Sequence, residues 1–347
     1  MSRQPRFVPW SEATTQALYG PGGFFHRPEG PAGHFRTSVN ASPVFAAAVV
    51  RLLTEVDTAL GHPARLDLVD IGSGRGELLV AARSLVQGGP LAQRLRLHAV
   101  EVAGRPAEVP DDVDWSDVLP ESVVGLLIAN EWLDDVPLDV VATGADGLLH
   151  RVLVEPGTGH ESPGGPVAMR QAAWVRRWWP LDGAAGGARA EVGSSRDDAW
   201  AGAVRALDRG VAVAVDYGHL RDDRAAGAYA AGTMLGYRDG RAVPAVPDGS
   251  CDITAHVAVD ACAAAGEVAG ATHTTLLRQR AVLGRLDVDG RLPPRELATT
   301  DPMAYAAALQ EATQAAELRD PEGLGAFWWL AQSVGVELPP SLSVTTG

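Results

Sequence analysis

The stretch Leu66-Asp67-Leu68-Val69-Asp70-Ile71-Gly72-Ser73-Gly74-Arg75-Gly76-Glu77 decides the fold. A short apolar run ends in the acid Asp70, and glycine then occupies positions 72, 74 and 76. A run that is apolar without strict alternation predicts a strand buried on both faces of a parallel sheet. The three glycines lack the Cβ atoms that would keep a ligand away from the backbone. Residues 78–86 carry helical spacing, so the turn opens onto a helix N-terminus with free N–H groups. Strand, glycine turn and helix together predict a nucleotide-type site.

The spacing of the glycines narrows the ligand. A dinucleotide fingerprint reads G-x-G-x-x-G, whereas here the third glycine arrives one place early and Glu77 stands in its position. An acid before the turn suits a ligand with ammonium and sulfonium charges and would repel a pyrophosphate. The pattern D-x-G-x-G-x-G over residues 70–76 resembles the first motif of S-adenosylmethionine (SAM)-dependent methyltransferases.

Outward from this unit, Leu95-Arg96-Leu97-His98-Ala99-Val100-Glu101 predicts a second strand, ending in an acid 25 residues past Gly76. An acid at that place can accept from both ribose hydroxyls. Val113-Asp114-Trp115 predicts a short third strand and its loop, with Asp114 accepting from the adenine amine and Trp115 stacking on the ring. A plain surface turn is the alternative there. Val123 to Ala129 is a buried strand that runs straight into Asn130-Glu131-Trp132-Leu133-Asp134-Asp135-Val136-Pro137. In a doubly wound sheet that strand end faces the ligand crevice, which puts Asn130, Glu131 and Asp134 at the chemistry. Val211 to Val215 is another buried strand, ending in Asp216-Tyr217-Gly218-His219 at the same edge.

Composition bounds the rest. The chain has 347 residues, 46% of them apolar, enough for a substantial core in one large domain with an insertion or in two domains. The net charge of -14 disfavours nucleic acid and suits a cationic substrate or a basic protein surface. There is no lysine; all 29 basic residues are arginine, which excludes a P-loop lysine, a Schiff base and a lysine general base. Cys251 and Cys262 form neither a C-x-x-C pair nor a disulfide framework, as expected of a reducing cytoplasm. The nine histidines show no metal-binding spacing, and no apolar run approaches the roughly 18 residues of a membrane helix. Residues 1–10 do not read as a signal peptide.

Further elements follow from local pattern. Residues 11–19 predict a helix, and Ser42-Pro43 is a good cap for a second helix over 44–60. Residues 139–143 and 148–155 predict a hairpin, and the Gly-, Pro- and Trp-rich residues 156–200 an insertion over the site. Helices are expected at 198–208, 302–318 and 325–333, and residues 274–283 are strand or helix by periodicity. This divides the chain into an N-terminal extension that covers the active site (1–60), a cofactor-binding core (61–155), the insertion (156–200) and the rest of the sheet with C-terminal helices (201–347).

Taken together, these blocks resemble the MidA-like family of SAM-dependent methyltransferases. The resemblance rests on residues 33–45, the glycine turn, His98-Ala99-Val100-Glu101, the L-I-A-N-E-x-x-D-x-x-P block at 127–137, Val215-Asp216-Tyr217-Gly218-His219, residues 233–238 and Asp252-Ile253-Thr254-Ala255-His256-Val257. His34, Val39 and Asn40 depart from the family pattern near the expected substrate side. The resemblance implies a class I methyltransferase fold, an α/β Rossmann-like doubly wound sheet with an inserted subdomain and N-terminal extension. It implies SAM as cofactor. Mitochondrial members act in respiratory complex I assembly and methylate an arginine of a complex I subunit, so a protein arginine is the implied acceptor. On that reading Gly72, Gly74, Gly76 and Asp70 hold the methionine part of SAM, Glu101 the ribose, and Asp114 with Trp115 the adenine. Asn130 and Glu131 face the methyl, and Glu131 with Asp134 holds a guanidinium. His219 takes a proton near neutral pH, and Thr37, Ser38, Asp216, Tyr217 and His256 lie on the substrate side. A small-molecule methyltransferase and a non-catalytic SAM-binding assembly factor are the alternatives.

Overall fold

The computed structural model describes residues 6–27, 43–181 and 183–343. In chain order its strands are β1 (Val8–Pro9), β2 (Leu66–Ile71), β3 (Leu95–Val100), β4 (Val113–Ser116), β5 (Val123–Asn130), β6 (Asp139–Thr143), β7 (Leu149–Val154), β8 (Glu161–Pro166) and β9 (Arg189–Val192). They continue with β10 (Leu207–Asp216), β11 (Gly218–His219), β12 (Leu235–Arg238), β13 (Arg241–Val243), β14 (Asp252–Thr254), β15 (Val257–Ala258), β16 (His273–Arg278) and β17 (Trp328–Val334).

Seven of these form one sheet in the order β16-β17-β10-β5-β2-β3-β4. β4, β3, β2, β5 and β10 pair in parallel, while β17 runs antiparallel between β10 and β16. The centre of the sheet is covered on both faces, which is why every residue of β2 is buried. On one face the helices Pro43–Ala59 and Glu77–Val86 pack Phe45, Val49, Leu52, Leu78 and Leu79 against Leu66, Leu68, Leu126 and Val213. On the other, Trp200, Ala203 and Val204 of helix Ser194–Arg205 and Cys262 of helix Val259–Ala269 meet Val69, Leu127 and Ala212. The order reverses between β2 and β5, the switch point where an open α/β sheet leaves a crevice at the carboxyl ends of its strands.

Three expectations change. Residues 325–333 do not form a helix: Trp328–Val334 is the buried strand β17. A short continuous apolar run has no period by which helix and strand can be told apart, and here pairing on both sides decides. The expected boundary between core and insertion at 155/156 falls inside a second sheet, β1-β7-β6-β9 with β8 on β7, that takes in residues 139–192 and the N-terminal strand. The helix expected at 198–208 starts earlier, at Ser194, and ends at Arg205 before β10 begins. The ambiguous stretch 274–283 is both elements in turn, β16 and then helix Gln279–Arg285.

The N-terminal helix Trp10–Tyr19 lies on the second sheet, with Trp10 and Ala13 packed against Val140, Val152, Val154 and Ala255. A smaller sheet, β13-β12-β14, brings Asp252 and Thr254 beside it. Among the described residues no helix is long and apolar enough to cross a membrane, and no cluster of His, Cys, Asp and Glu could hold a metal ion.

Candidate functional site

Everything in the crevice hangs on where five strands stop. After β2 the backbone turns through Gly72, Gly74 and Gly76, with φ of 69°, 59° and 82°. Those values fall in the left-handed region that glycine adopts without penalty. At Gly76 a Cβ would also press on Val109 at 3.2 Å and on the Trp115 ring at 3.3 Å. Helix Glu77–Val86 follows at once. Glu101, one residue beyond β3, reaches over this turn: its Oε2 accepts from the Gly74 N–H at 2.9 Å and its Oε1 from the Ala103 N–H at 2.9 Å. Burial raises the Glu101 carboxyl above its usual range despite those two donors. Asp70 is fully enclosed, accepts from Ser73 Oγ at 2.8 Å, and is pushed by burial to about 7.

The adenine pair divides. Trp115 lies against the glycine turn and donates from Nε1 to the Ala103 carbonyl at 3.0 Å. Asp114 does not reach the crevice. The register sets it level with His98, three residues short of Glu101, and its carboxylate sits 3.3 Å from His98 Nδ1 on the outer part of the sheet. A strand of four residues, Val113–Ser116, puts its carboxyl end at Ser116, so Asp114 falls too early.

At the end of β5, Asn130 is buried and its Nδ2 donates to Glu131 Oε1 at 3.1 Å, while its Oδ1 has no partner. Glu131 itself holds φ at 50°, unusual for a residue with a Cβ, and its N–H donates to the Val215 carbonyl at 2.8 Å. Strained backbone of this kind collects at functional sites.

Beyond Glu131 four carboxylates come together below the surface. Asp216 accepts from the N–H groups of Leu133 (3.1 Å), Asp134 (3.2 Å) and Tyr217 (2.9 Å), which fastens the turn after β5 onto the end of β10. Asp134 Oδ2 accepts from the Tyr217 hydroxyl, which also shares a hydrogen bond of 2.6 Å with Thr254 Oγ1. Asp134 Oδ1, Asp135 Oδ1 and both oxygens of Asp252 are buried and receive no donor from outside the acids, while Asp135 and Asp252 hydrogen-bond to each other. Burial, and then the charge of Asp134, lifts Asp135 and Asp216 well above the carboxylate range, and the same two causes bring Asp252 to about 8. The charge of Arg196 pulls Asp134, Asp135 and Asp216 down but does not outweigh burial. Its guanidinium donates to the carbonyls of Val136 (3.1 Å), Ala255 (2.7 Å), His256 (3.1 Å) and Asp134. A cluster of carboxyls perturbed by burial and by one another at the strand ends marks a candidate functional site.

His219 is a correction. Its ring is enclosed by Trp179 (centroids 4.9 Å apart) and Tyr229 (4.5 Å), and Nδ1 lies 2.9 Å from the Arg224 guanidinium. Burial and then the Arg224 charge lower it to about 3, so it cannot take a proton near neutral pH. His256 stands closer to the acids, edge-on to Tyr217 at 5.1 Å, and burial lowers it too. Its backbone N–H donates to Thr233 Oγ1 at 2.9 Å. Thr37 and Ser38 lie outside the described residues. Sequence reasoning passed over Asp252 and Arg196. Asp252 was visible only as part of the D-I-T-A-H-V block, and Arg196 carries no local signal at all.

The family model Methyltransf_28, described as "Putative S-adenosyl-L-methionine-dependent methyltransferase", matches residues 48–276, well over half of the chain. Two solved structures of COG1565 superfamily proteins from Burkholderia thailandensis share the fold. One, bound to S-adenosyl-homocysteine, aligns with a TM-score of 0.80 at 24% identity over 97% of this chain and 90% of its own. The other, in its native form, aligns with a TM-score of 0.78 at 26% identity over 98% and 90%. No curated protein matches the sequence. The order of the sheet, the glycine turn capped by Glu101 and the family match agree: the chain belongs to the Methyltransf_28 family of S-adenosyl-L-methionine-dependent methyltransferases, and SAM is the cofactor of that family.

Proposed function

We propose that this protein methylates a guanidinium, that of an arginine side chain in a protein, as the MidA-like resemblance implies. The observation that carries the reading is the set Asp134, Asp135, Asp216 and Asp252, four of whose oxygens are buried and receive no donor from outside the acids. A guanidinium presents planar N–H donors that match pairs of carboxylate oxygens. Entry of such a cation would draw the raised carboxyls back into their ionised form.

The glycine turn and Glu101 fit SAM. The Cβ-free backbone admits a ligand close in, Glu101 supplies an acceptor for ribose hydroxyls, and the enclosed Asp70 would act on the ammonium through a water or a backbone amide. When bound, SAM supplies an electrophilic methyl on sulfur. The chain's own contribution is alignment and exclusion of water. Asn130 and the strained Glu131 stand between the cofactor turn and the acids, placed to orient the accepting nitrogen. Asp134, held by Tyr217, would carry the guanidinium and accept the proton that methylation releases.

The test is transfer of tritium from methyl-labelled SAM to arginine-containing basic proteins, followed by acid hydrolysis. Label eluting as methylarginine is the expected result. Label confined to small molecules, or to residues other than arginine, would overturn the acceptor while leaving the methyltransferase intact.

A further inference from the structure

Aromatic rings gather where the buried acids approach solvent. The antiparallel register of β10 and β17 ends with Asp216 opposite Trp328, so Tyr217 and Phe327 follow as the next facing pair at the rim of the sheet. Their ring centroids lie 5.5 Å apart. His256 meets the same Tyr217 ring edge-on at 5.1 Å, brought there because the Val257 N–H donates to the Tyr217 carbonyl at 3.0 Å. Tyr229 backs His256 at 6.0 Å. Tyr217, His256 and Phe327 are all half-buried, and the Tyr217 hydroxyl donates to Asp134. Tyr217 thus runs from solvent to the acids with two further rings against it.

The same rim already carries arginines on rings. Among the described residues three guanidiniums lie over aromatic faces: Arg278 over Trp328 at 3.6 Å, Arg177 over Trp178 at 4.6 Å and Arg224 over Trp179 at 5.8 Å. Trp328 Nε1 donates to the carbonyl of Gly218, next to Tyr217, at 3.1 Å, and Arg224 donates to the His219 carbonyl at 3.0 Å. None of the three guanidiniums lies over Tyr217, His256 or Phe327, the rings joined to Asp134. Burial and then the Arg196 charge lower His256, so at neutral pH it carries no charge that would repel a cation. A carboxylate draws in an ammonium as well as a guanidinium. A flat, weakly hydrated guanidinium stacks on a ring better than a compact, strongly hydrated ammonium does.

We infer that Tyr217, His256 and Phe327 form an aromatic mouth to the acid cluster, which stacks on the planar end of the acceptor side chain and selects arginine over lysine. The inference rests on the proposed reading of the acids as a guanidinium site and adds the residues that set its specificity. The rings pack against the apolar stem and the guanidinium plane, and the acids beyond them receive the N–H groups. Charge draws the side chain in, and shape decides which cation stays.

Calorimetric titration with two capped peptides, acetyl-Gly-Arg-Gly-amide and acetyl-Gly-Lys-Gly-amide, tests this in the presence of S-adenosyl-homocysteine. Wild type is expected to bind the arginine peptide about tenfold more tightly, the scale of a desolvated cation–ring contact. His256→Leu and Phe327→Leu keep bulk and remove the ring, and each should bring that ratio to roughly two- or threefold by weakening the arginine peptide alone. Phe327→Tyr should preserve the ratio. A merely structural role would lower both affinities together, along with the melting temperature, and leave the ratio where it was. If Phe327→Leu fails to fold, His256→Leu decides. Equal affinities in wild type, or a ratio unchanged in the leucine variants, would overturn the mouth while leaving the acids as a cation site. If wild type binds neither peptide, the mouth falls together with the proposed acceptor. Selective binding that the leucine variants lose, without any methylarginine forming from labelled SAM, would leave the mouth standing and remove the methylation reading instead.

Discussion

Two groups of buried acids sit on the same sheet and behave oppositely. Toward the amino ends of the strands, Asp67 Oδ1 accepts from Arg65 Nε at 2.8 Å and from His98 Nε2 at 3.2 Å, and Oδ2 from the Val124 N–H at 2.9 Å. Burial pulls its pKa up, but His98, Val124 and Arg65 together outweigh that and hold it below the usual value. At the carboxyl ends, Asp134 and Asp252 are as deeply buried and Asp135 is half-buried, yet all three keep buried oxygens that no donor outside the acids reaches, and all are raised. Depth alone therefore says little about an acid's role. The donors around Asp67 make it framework, whereas on the proposed reading the oxygens of Asp134, Asp135 and Asp252 that the fold leaves without outside donors meet a charge brought by the ligand.

Four measurements would break or sharpen that contrast. The largest effect belongs to Asp134→Asn, which keeps the shape and removes the charge. Methyl transfer to the proposed arginine acceptor should fall at least ~100-fold, the scale seen when a positioned electrostatic group is lost, while the melting temperature holds. Retained activity would mean that the acid cluster is framework too. Next comes Asp67→Ala. Urea unfolding should show a loss of about 2–3 kcal/mol, since it strands buried hydrogen-bonding partners, with affinity for S-adenosyl-homocysteine unchanged. A smaller effect is expected from Glu101→Ala, which should weaken SAM binding by roughly 1–3 kcal/mol in calorimetry.

The last is a pH effect on stability, small over any one pH unit. Asp252 has a folded pKa of about 8 against an ordinary 3.8. Between those values the folded protein binds more protons than the unfolded chain, so stability falls as pH rises from about 4 to 8. One such proton contributes a slope of at most about 1.4 kcal/mol per pH unit, and Asp252→Asn should flatten the curve. Asp67 works the other way: lowered in the fold, it contributes stability above its unfolded pKa that is lost as pH falls through the folded one. Melting curves across pH that are identical in wild type and Asp252→Asn would show that Asp252 is not held protonated.

The parts of this contrast that lay in local pattern were legible in the sequence. β2, β5 and β10 announce themselves as apolar runs, and the glycine turn fixes both the cofactor class and the place of Glu101. What pattern could not supply was convergence. Asp252 meets Asp135 because β14 pairs into a small sheet with β12, far along the chain. Arg196 reaches four carbonyls from a helix face that reads as ordinary. His219 entered as a base only through the family resemblance and the ordinary pKa of a histidine near neutrality. Its inertness comes from Trp179 and Arg224, which belong to other elements. Asp114 was displaced by a matter of register, which a strand of four residues leaves open. And β17 was taken for a helix because a strand buried on both faces has lost the alternation that identifies strands.

β17 also bears on how the molecule is made. Among the described residues β16 pairs with nothing in the large sheet except β17, which follows it after four helical segments. While the ribosome is still short of residue 328, the nascent chain holds β10 with one side bare and β16 with no place to dock. An unpaired parallel edge of that apolar character invites association with neighbouring chains. Translation speed and chaperone supply across residues 279–327 should therefore govern the yield of folded protein more than any change within the crevice does.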